Sequence, residues 1–371
     1  MKITVEKNNI FKSLSHVQSI VEKKNTIPIL SNILIEAKNN SLVLSATDMD
    51  ISINETLNCE VSESGSAAVP AHTLYDIIRK LPDSSEVEFV SNDGKIFSIR
   101  SGKSRFSLSC LPKEDFPIIE IDDLKSELSI ESQDLLKLIE KTRFAISNEE
   151  TRYFLNGIYF HKKKNSAEEL LTMVATDGHR LAKVEFNSSN QAADIPGVII
   201  PRKTIYELSK LLADFKGNVK INIDPNKIIF FVDKSVLISK LIDGTFPDYQ
   251  KVIPDNNDNV LIVNRNSFCS AVDRVSTITN ERSPAIKFKL LKNIMNMTAA
   301  DSESGQATED IVTEYSGKEM EIGFNSKYIL EMVSNLDDEN VILSFNDSSS
   351  PVIATEQSSP NLLYVLMPMR V

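Results

Sequence analysis

Val174-Ala175-Thr176-Asp177-Gly178-His179-Arg180-Leu181-Ala182 stands near the middle of the chain and has a relative on either side. Upstream is Leu44-Ser45-Ala46-Thr47-Asp48-Met49-Asp50; downstream, more diverged, is Met297-Thr298-Ala299-Ala300-Asp301-Ser302. Each follows an alternating apolar run and closes it with a Thr/Ala-Asp turn. The aspartates fall at 48, 177 and 301, steps of 129 and 124 residues. A period of that size is a whole domain, far longer than a solenoid repeat of roughly 20 to 50 residues. Three tandem copies of one domain are therefore expected.

The copies also agree in phase. Ala67-Ala68-Val69 ends at Pro70, Gly197-Val198-Ile199-Ile200 at Pro201, and Ile322-Gly323-Phe324 at Asn325. Apolar residues then follow at Leu74, Ile77, Ile78 and Leu81; at Ile205, Leu208 and Leu212; and at Ile329, Met332, Val333 and Leu336. That spacing is one face of a 3.6-residue helix, interrupted only by Ser209 in the second copy. An earlier helix opens each copy, with Asn8, Ser132 and Asn266 as the expected caps. Period-2 segments such as Val87-Glu88-Phe89, 219–223 and 341–345 read as strands, separated by turn signals at 92–94, 101–103 and 224–226. The expected fold class is α+β: three tandem copies of a two-helix, antiparallel-sheet domain. Boundaries at 1–122, 128–250 and 259–371 follow the lapses of periodicity, and Phe116-Pro117 and Phe246-Pro247 close the first two copies alike.

Composition narrows the function. The 371 residues are 41% hydrophobic and 25% charged, as in ordinary globular proteins. The start lacks the apolar core of a signal peptide and no run is long enough for a membrane span, so a cytoplasmic location is expected. Cys59, Cys110 and Cys269 are scattered, with no CxxC pair, which offers neither a disulfide framework nor a zinc site. A net charge of −11 opposes nucleic-acid binding unless the cations are gathered on one surface. They are partly gathered: four of the six expected helices carry a positive excess, among them Lys7, Lys12, Arg79, Lys80, Arg202, Lys203, Lys210 and Arg274. A solvated helix face explains any one of them, whereas a duplex held through phosphates explains the set.

No catalytic residue, cofactor or metal is expected. Asp177 beside His179 is better explained as a turn with Gly178 at a positive φ than as a proton relay, and the sister turns lack the histidine. There is no HExxH, Walker loop, GxGxxG or GxSxG. A hydrolase at Asp177 and His179, and a three-domain protein-interaction scaffold that does not bind DNA, stand as the alternatives.

Further motifs carry a resemblance. Arg152-Tyr153-Phe154-Leu155-Asn156-Gly157, 175–181, Asp243-Gly244-Thr245-Phe246-Pro247-Asp248-Tyr249 and terminal Met367-Pro368-Met369-Arg370 resemble the β subunit of bacterial DNA polymerase III, the sliding clamp family, as do Pro28-Ile29-Leu30, 101–106 and 320–324. The likeness runs the whole length. It implies a ring formed by a head-to-tail homodimer around double-stranded DNA, without sequence specificity and without catalysis. It also implies a pocket for short peptides of polymerases, the clamp loader and repair factors, lined by Leu155, Thr176, Gly178, His179, Arg180, Leu181, Pro247, Lys251, Val252, Val365, Met367, Pro368, Met369 and Arg370. Lys251 stands where the family often has Arg, which keeps the charge and loses the planar fork. For DNA the resemblance points to Lys24, His72, Tyr153, Phe154, Arg202 and Lys203, with Glu149 where an uncharged residue would suit a phosphate better. For the dimer seam it points to Lys103, Arg105 and Phe106 facing Ile278 and Glu303.

Overall fold

The computed structural model describes the whole chain apart from residues 24–25, 93–94, 118, 120–125, 163–169, 188–194, 281–283, 303 and 371. The first copy runs β1 (Lys2–Glu6), α1 (Lys7–Ile20), β2 (Asn32–Lys38), β3 (Ser41–Thr47), β4 (Ile51–Asn58), β5 (Glu60–Glu63), β6 (Gly65–Pro70), α2 (Ala71–Lys80), β7 (Glu86–Val90), β8 (Ile96–Ser101) and β9 (Ser104–Ser109). The second runs β10 (Ser126–Glu131), α3 (Ser132–Arg143), β11 (Gly157–Lys162), β12 (Leu170–Thr176), β13 (Arg180–Asn187), β14 (Val198–Pro201), α4 (Arg202–Ala213), β15 (Asn218–Ile223), β16 (Lys227–Val232) and β17 (Ser235–Lys240). The third runs β18 (Asn259–Asn264), α5 (Arg265–Ser276), β19 (Ala285–Leu291), β20 (Ile294–Asp301), β21 (Gly305–Val312), β22 (Glu314–Tyr315), β23 (Met320–Asn325), α6 (Ser326–Ser334), β24 (Asn340–Phe345), β25 (Val352–Thr355) and β26 (Leu362–Leu366).

The helical periodicity holds in detail. Leu74 and Ile78, Ile205, Leu208 and Leu212, and Ile329, Met332 and Val333 are all buried. Each such side chain removed from water contributes about 1.5–3 kcal/mol. Ser209 is buried too, its hydroxyl donating to the Ile205 carbonyl at 2.8 Å, so the polar break is satisfied inside its own helix. The caps differ from expectation. α1 begins at Lys7 with Glu6 in the capping position, leaving Asn8 inside the helix. In α5 the cap is Asn264, which accepts from the Ser267 amide at 3.0 Å, because the strand carries the chain two residues less far than its polarity implied.

The three aspartate turns share one skeleton. Asp48 Oδ1 accepts from the amides of Asp50 and Ile51 at 2.9 and 2.8 Å, and Asp177 Oδ1 from His179 and Arg180 at 2.9 and 3.0 Å. The preceding threonines brace the same turns, donating to Ile51 O and Arg180 O. Met49 and Gly178 take the same left-handed φ, 81° and 88°. In the third copy Asp301 Oδ1 accepts from Ser304 N at 2.9 Å.

The copies do not pack as separate bodies. By packing the chain forms two compact units, the first built from Met1–Leu136 and Lys203–Leu241, the second from Lys137–Asn190, Gly197–Arg202 and Ile242–Val371. Backbone pairing explains the division. In the first unit β4 pairs with β17, Ile51 opposite Ser239, giving an eight-stranded sheet ordered β10-β15-β16-β17-β4-β3-β2-β6. In the second, β13 pairs with β26, Arg180 opposite Leu366, giving a nine-stranded sheet ordered β14-β11-β12-β13-β26-β25-β24-β18-β22. An edge strand exposes a row of unpaired amides and carbonyls, and each junction satisfies two such rows at once. The middle copy gives one of its sheets to each unit. Two smaller sheets remain, β5-β1-β7-β8-β9 in the first unit and β21-β20-β19-β23 in the second. Among the described residues no helix is long and apolar enough to cross a membrane.

Candidate partner-binding pocket and DNA-facing residues

The outward face of the nine-stranded sheet builds an apolar floor in the second unit. Leu155, Val174, Leu181, Ile199, Phe246, Tyr249 and Val365 are buried together, with Phe154, Tyr159, Ile242, Ile253 and Leu363 packed against them. The segment after β17 folds over this face and is fastened there by the Ile242 amide donating to Ile199 O at 3.0 Å. Tyr159 stacks on Phe246 at 4.9 Å with the rings 7° apart, and the Tyr249 hydroxyl lies 3.1 Å from His161 Nε2. Burial raises the pKa of both tyrosines, which stay neutral through the physiological range.

The rim is set by the Asp177 turn and the C-terminal segment. Met367 N donates to His179 O at 2.9 Å, and Met369 N to Gly323 O at 2.8 Å. The Met-Pro-Met-Arg segment is thereby pinned at two points, and its thioethers, with Val252, stand exposed beside the floor. An exposed wall of methionine and valine above a buried apolar floor suits a deformable peptide site. Pro247 and Lys251 are exposed as well, and Lys251 pairs with Asp248 at 3.1 Å.

Arg180 is different from its neighbours. It is 8% exposed. Its guanidinium donates to Asp177 Oδ2 at 3.1 Å, to Phe144 O at 2.7 Å and to Glu331, and it lies 4.5 Å from the centre of the Tyr328 ring. Each of its three guanidinium nitrogens donates a hydrogen bond to the protein, so Arg180 braces the Asp177 turn against Phe144 and α6. Tyr328 and Glu331, on α6, carry no motif; their face of the helix reads in the sequence as acidic and solvated. Burial raises the Tyr328 pKa, and its ring stacks with His179 at 6.1 Å. Gly178 is favoured by its φ of 88°; a Cβ there would come 2.4 Å from Arg152 Nη1, the far end of a flexible side chain that can move aside.

The residues expected to meet DNA are placed unevenly. Tyr153 is 54% exposed and packs edge-on against Phe154 at 5.8 Å. Lys203 Nζ is held by Asp48 at 2.5 Å and by Ile20 O at 2.9 Å. The His72 ring nitrogens lie 3.0 Å from Gln18 Oε1 and 3.1 Å from Val21 O. Lys203 and His72 therefore secure the end of α1, a role their sequence positions did not show. Arg202 opens α4 half-exposed. Glu149 is met by two Arg152 N–H groups at 2.7 Å each, which hold its carboxyl below the usual range and offset its charge. Several helix cations are likewise paired: Lys7 with Asp83, Lys12 with Asp214, Arg79 with Asp76 and Arg274 with Glu309. At the expected seam Lys103, Arg105 and Phe106 are exposed and Ile278 is half-buried. Lys24 and Glu303 lie outside the described residues.

This arrangement meets a known family along the entire chain. The family descriptions DNA polymerase III beta subunit, N-terminal domain, central domain and C-terminal domain match residues 1–120, 129–248 and 250–370. The chain belongs to the DNA polymerase III beta subunit family. It is 44% identical to the beta sliding clamp of Caulobacter vibrioides and 37% identical to that of Escherichia coli K12, over 100% of both chains in each case. Its structure superposes on the DnaN sliding clamp of Bartonella birtlesii bound to griselimycin with a TM-score of 0.97 at 44% identity, and on the Pseudomonas aeruginosa clamp with ligand at 0.93 and 33%, with full coverage. The clamp fold is thus shown to be three tandem domains with antiparallel sheets. Its function is that of a DNA sliding clamp, a non-catalytic processivity factor.

Proposed function

We propose that two copies of this chain close head to tail into a ring that encircles double-stranded DNA without sequence preference, in the cytoplasm. The ring tethers polymerases, the clamp loader and repair factors through peptides seated in the pocket of the second unit. The domains are taken as 1–122, 128–250 and 259–371. The observation that carries this reading is the strand-edge rule. In both junctions within the chain, the fourth strand of one copy (β4 or β13) pairs with the last strand of the next (β17 or β26). The rule leaves β21 without a following copy and β9 without a preceding one, an open edge at each end of the chain. Closed pairing of such edges yields a ring, whereas unclosed pairing yields a filament.

The register follows from the same ladders. Through their own strand pairings Ile51, Arg180 and Gly305 occupy one position, and Leu108, Ser239 and Leu366 another. Between two chains this sets Gly305 opposite Leu108, Ala307 opposite Phe106, Thr308 opposite Arg105 and Asp310 opposite Lys103. Cations on one edge meet acid on the other. Topological linkage then replaces affinity, so paired and partly neutralised helix cations suffice for a clamp that slides.

The test is retention on circular against linearised DNA after the clamp has been loaded. Retention on the circle and loss by sliding off free ends is expected. Equal retention on both would sink the ring, and retention on neither would favour the scaffold that does not bind DNA.

A further inference from the structure

We propose that the outward face of β18, β24 and β25 is a second docking surface, used by the stretch of a partner polypeptide that flanks the peptide in the pocket. This rests on the pocket reading above. On that face Val260 lies opposite Ser344, Ser344 opposite Ile353 and Ile353 opposite Val365 of the pocket floor; in the next row Ile262 lies opposite Ile342. Val260 is 45% exposed and Ile262, Ile342 and Ile353 are half-buried, while the alternate residues Leu261, Leu343 and Ala354 face the core. Val260 stands three strands from Val365, about 14 Å at a strand spacing of about 4.8 Å, and the rows run to the pocket floor through Ser344 and Ile353, with Ile342 opposite Thr355.

Scattered apolar side chains on a surface mean little, and a contiguous set beside a binding site means more. The other two copies act as internal controls for this one. Counted through the ladders, Val260 corresponds to Lys2 and Glu127, Ile262 to Thr4 and Ser129, and Ile342 to Glu88 and Lys220. In the first copy this face carries charge, Glu88 pairing with Lys2 at 3.2 Å and Arg100 at 3.5 Å. These three positions are therefore polar in both other copies and aliphatic only where the sheet adjoins the pocket, whereas Ile353 corresponds to Ser98 in the first copy and to the buried Ile229 in the second. Folding does not demand aliphatic residues at 260, 262 and 342, since the fold is made twice without them there. An extended apolar segment leaving the pocket over Leu363 and Val365 would bury them.

The experiment uses the full-length chain with Val260→Lys and Ile342→Lys together, substitutions whose equivalents, Lys2 and Lys220, the fold already carries exposed. Affinity is measured by calorimetry for griselimycin, which the Bartonella birtlesii clamp binds and which this reading seats in the pocket, and for the polymerising subunit of DNA polymerase III. Griselimycin affinity is expected to stay within about twofold, while polymerase affinity falls about tenfold or more. Leu181→Ala, on the pocket floor, should weaken both. Polymerase affinity unchanged by the lysines but lowered by Leu181→Ala overturns the second surface and leaves the pocket standing. If Leu181→Ala changes neither affinity, the pocket reading fails and this proposal with it. If the lysines instead abolish a higher assembly of the chain in light scattering and spare polymerase binding, the face is a self-contact and the proposal is wrong.

Discussion

The Met367 amide donates to the carbonyl of His179 at 2.9 Å, and one copy earlier Lys240 donates to Asp50 at 2.8 Å in the same geometry. The two junctions thus share a frame and differ in what it presents. Around the first, Asp50 and Lys240 form an exposed ion pair at 3.1 Å, and Ser45 and Ser52 replace Val174 and Leu181. An apolar ligand there would have to desolvate a carboxylate and an ammonium, which outweighs the little the exposed pair adds to stability.

Importing that rim into the second junction should close the pocket. His179→Asp with Met367→Lys is expected to weaken griselimycin binding at least about tenfold, with thermal unfolding within a few degrees of the parent, because the fold already tolerates both residues in this frame. Calorimetry and a melting curve check both halves, and undiminished binding would refute the role of the rim.

Arg180→Ala should be costly. It leaves Asp177 and Glu331 facing a buried, uncompensated gap, a loss of about 3 kcal/mol. Glu331→Gln should cost about 1 kcal/mol, since Glu331 is about a third exposed and keeps a hydrogen-bonding group. Melting temperatures rank the two variants; equal shifts would show that the arginine is not the centre of the cluster.

The seam register is checkable by oxidation. Arg105→Cys with Thr308→Cys places directly opposed residues within disulfide reach between chains, so a covalent dimer is expected. Arg105→Cys with Glu309→Cys, one residue out of register, points the thiols to opposite faces and should not cross-link. Cross-linking of the second pair and not the first would move the seam by one residue.

Arg202 and Lys203 should separate in a salt titration of DNA retention. Arg202→Ala is expected to reduce the slope of log affinity against log salt by about 0.9, the loss of one phosphate contact. Lys203→Ala should leave the slope nearly unchanged while lowering the melting temperature, since its ammonium serves Asp48 and Ile20. A full slope change at Lys203 would show that it leaves Asp48 for the duplex.

By itself the sequence determined the repeat, the six helices and the aspartate turns, because each is a local pattern: an apolar spacing of 3.6 or 2, or a side chain bonding amides two and three residues ahead. The motifs at 152–157, 175–181, 243–249 and 367–370 also converge on one apolar cluster, the floor of the proposed pocket, which takes in Leu155, Leu181 and Phe246. Only the tertiary structure decided how neighbouring copies share sheets, and which charges are already taken. Arg180 meets Glu331 across 151 residues and Lys203 meets Asp48 across 155. Periodicity reports which face of an element is buried, but a partner reached across a sheet junction depends on strand register between copies, and no local pattern encodes that.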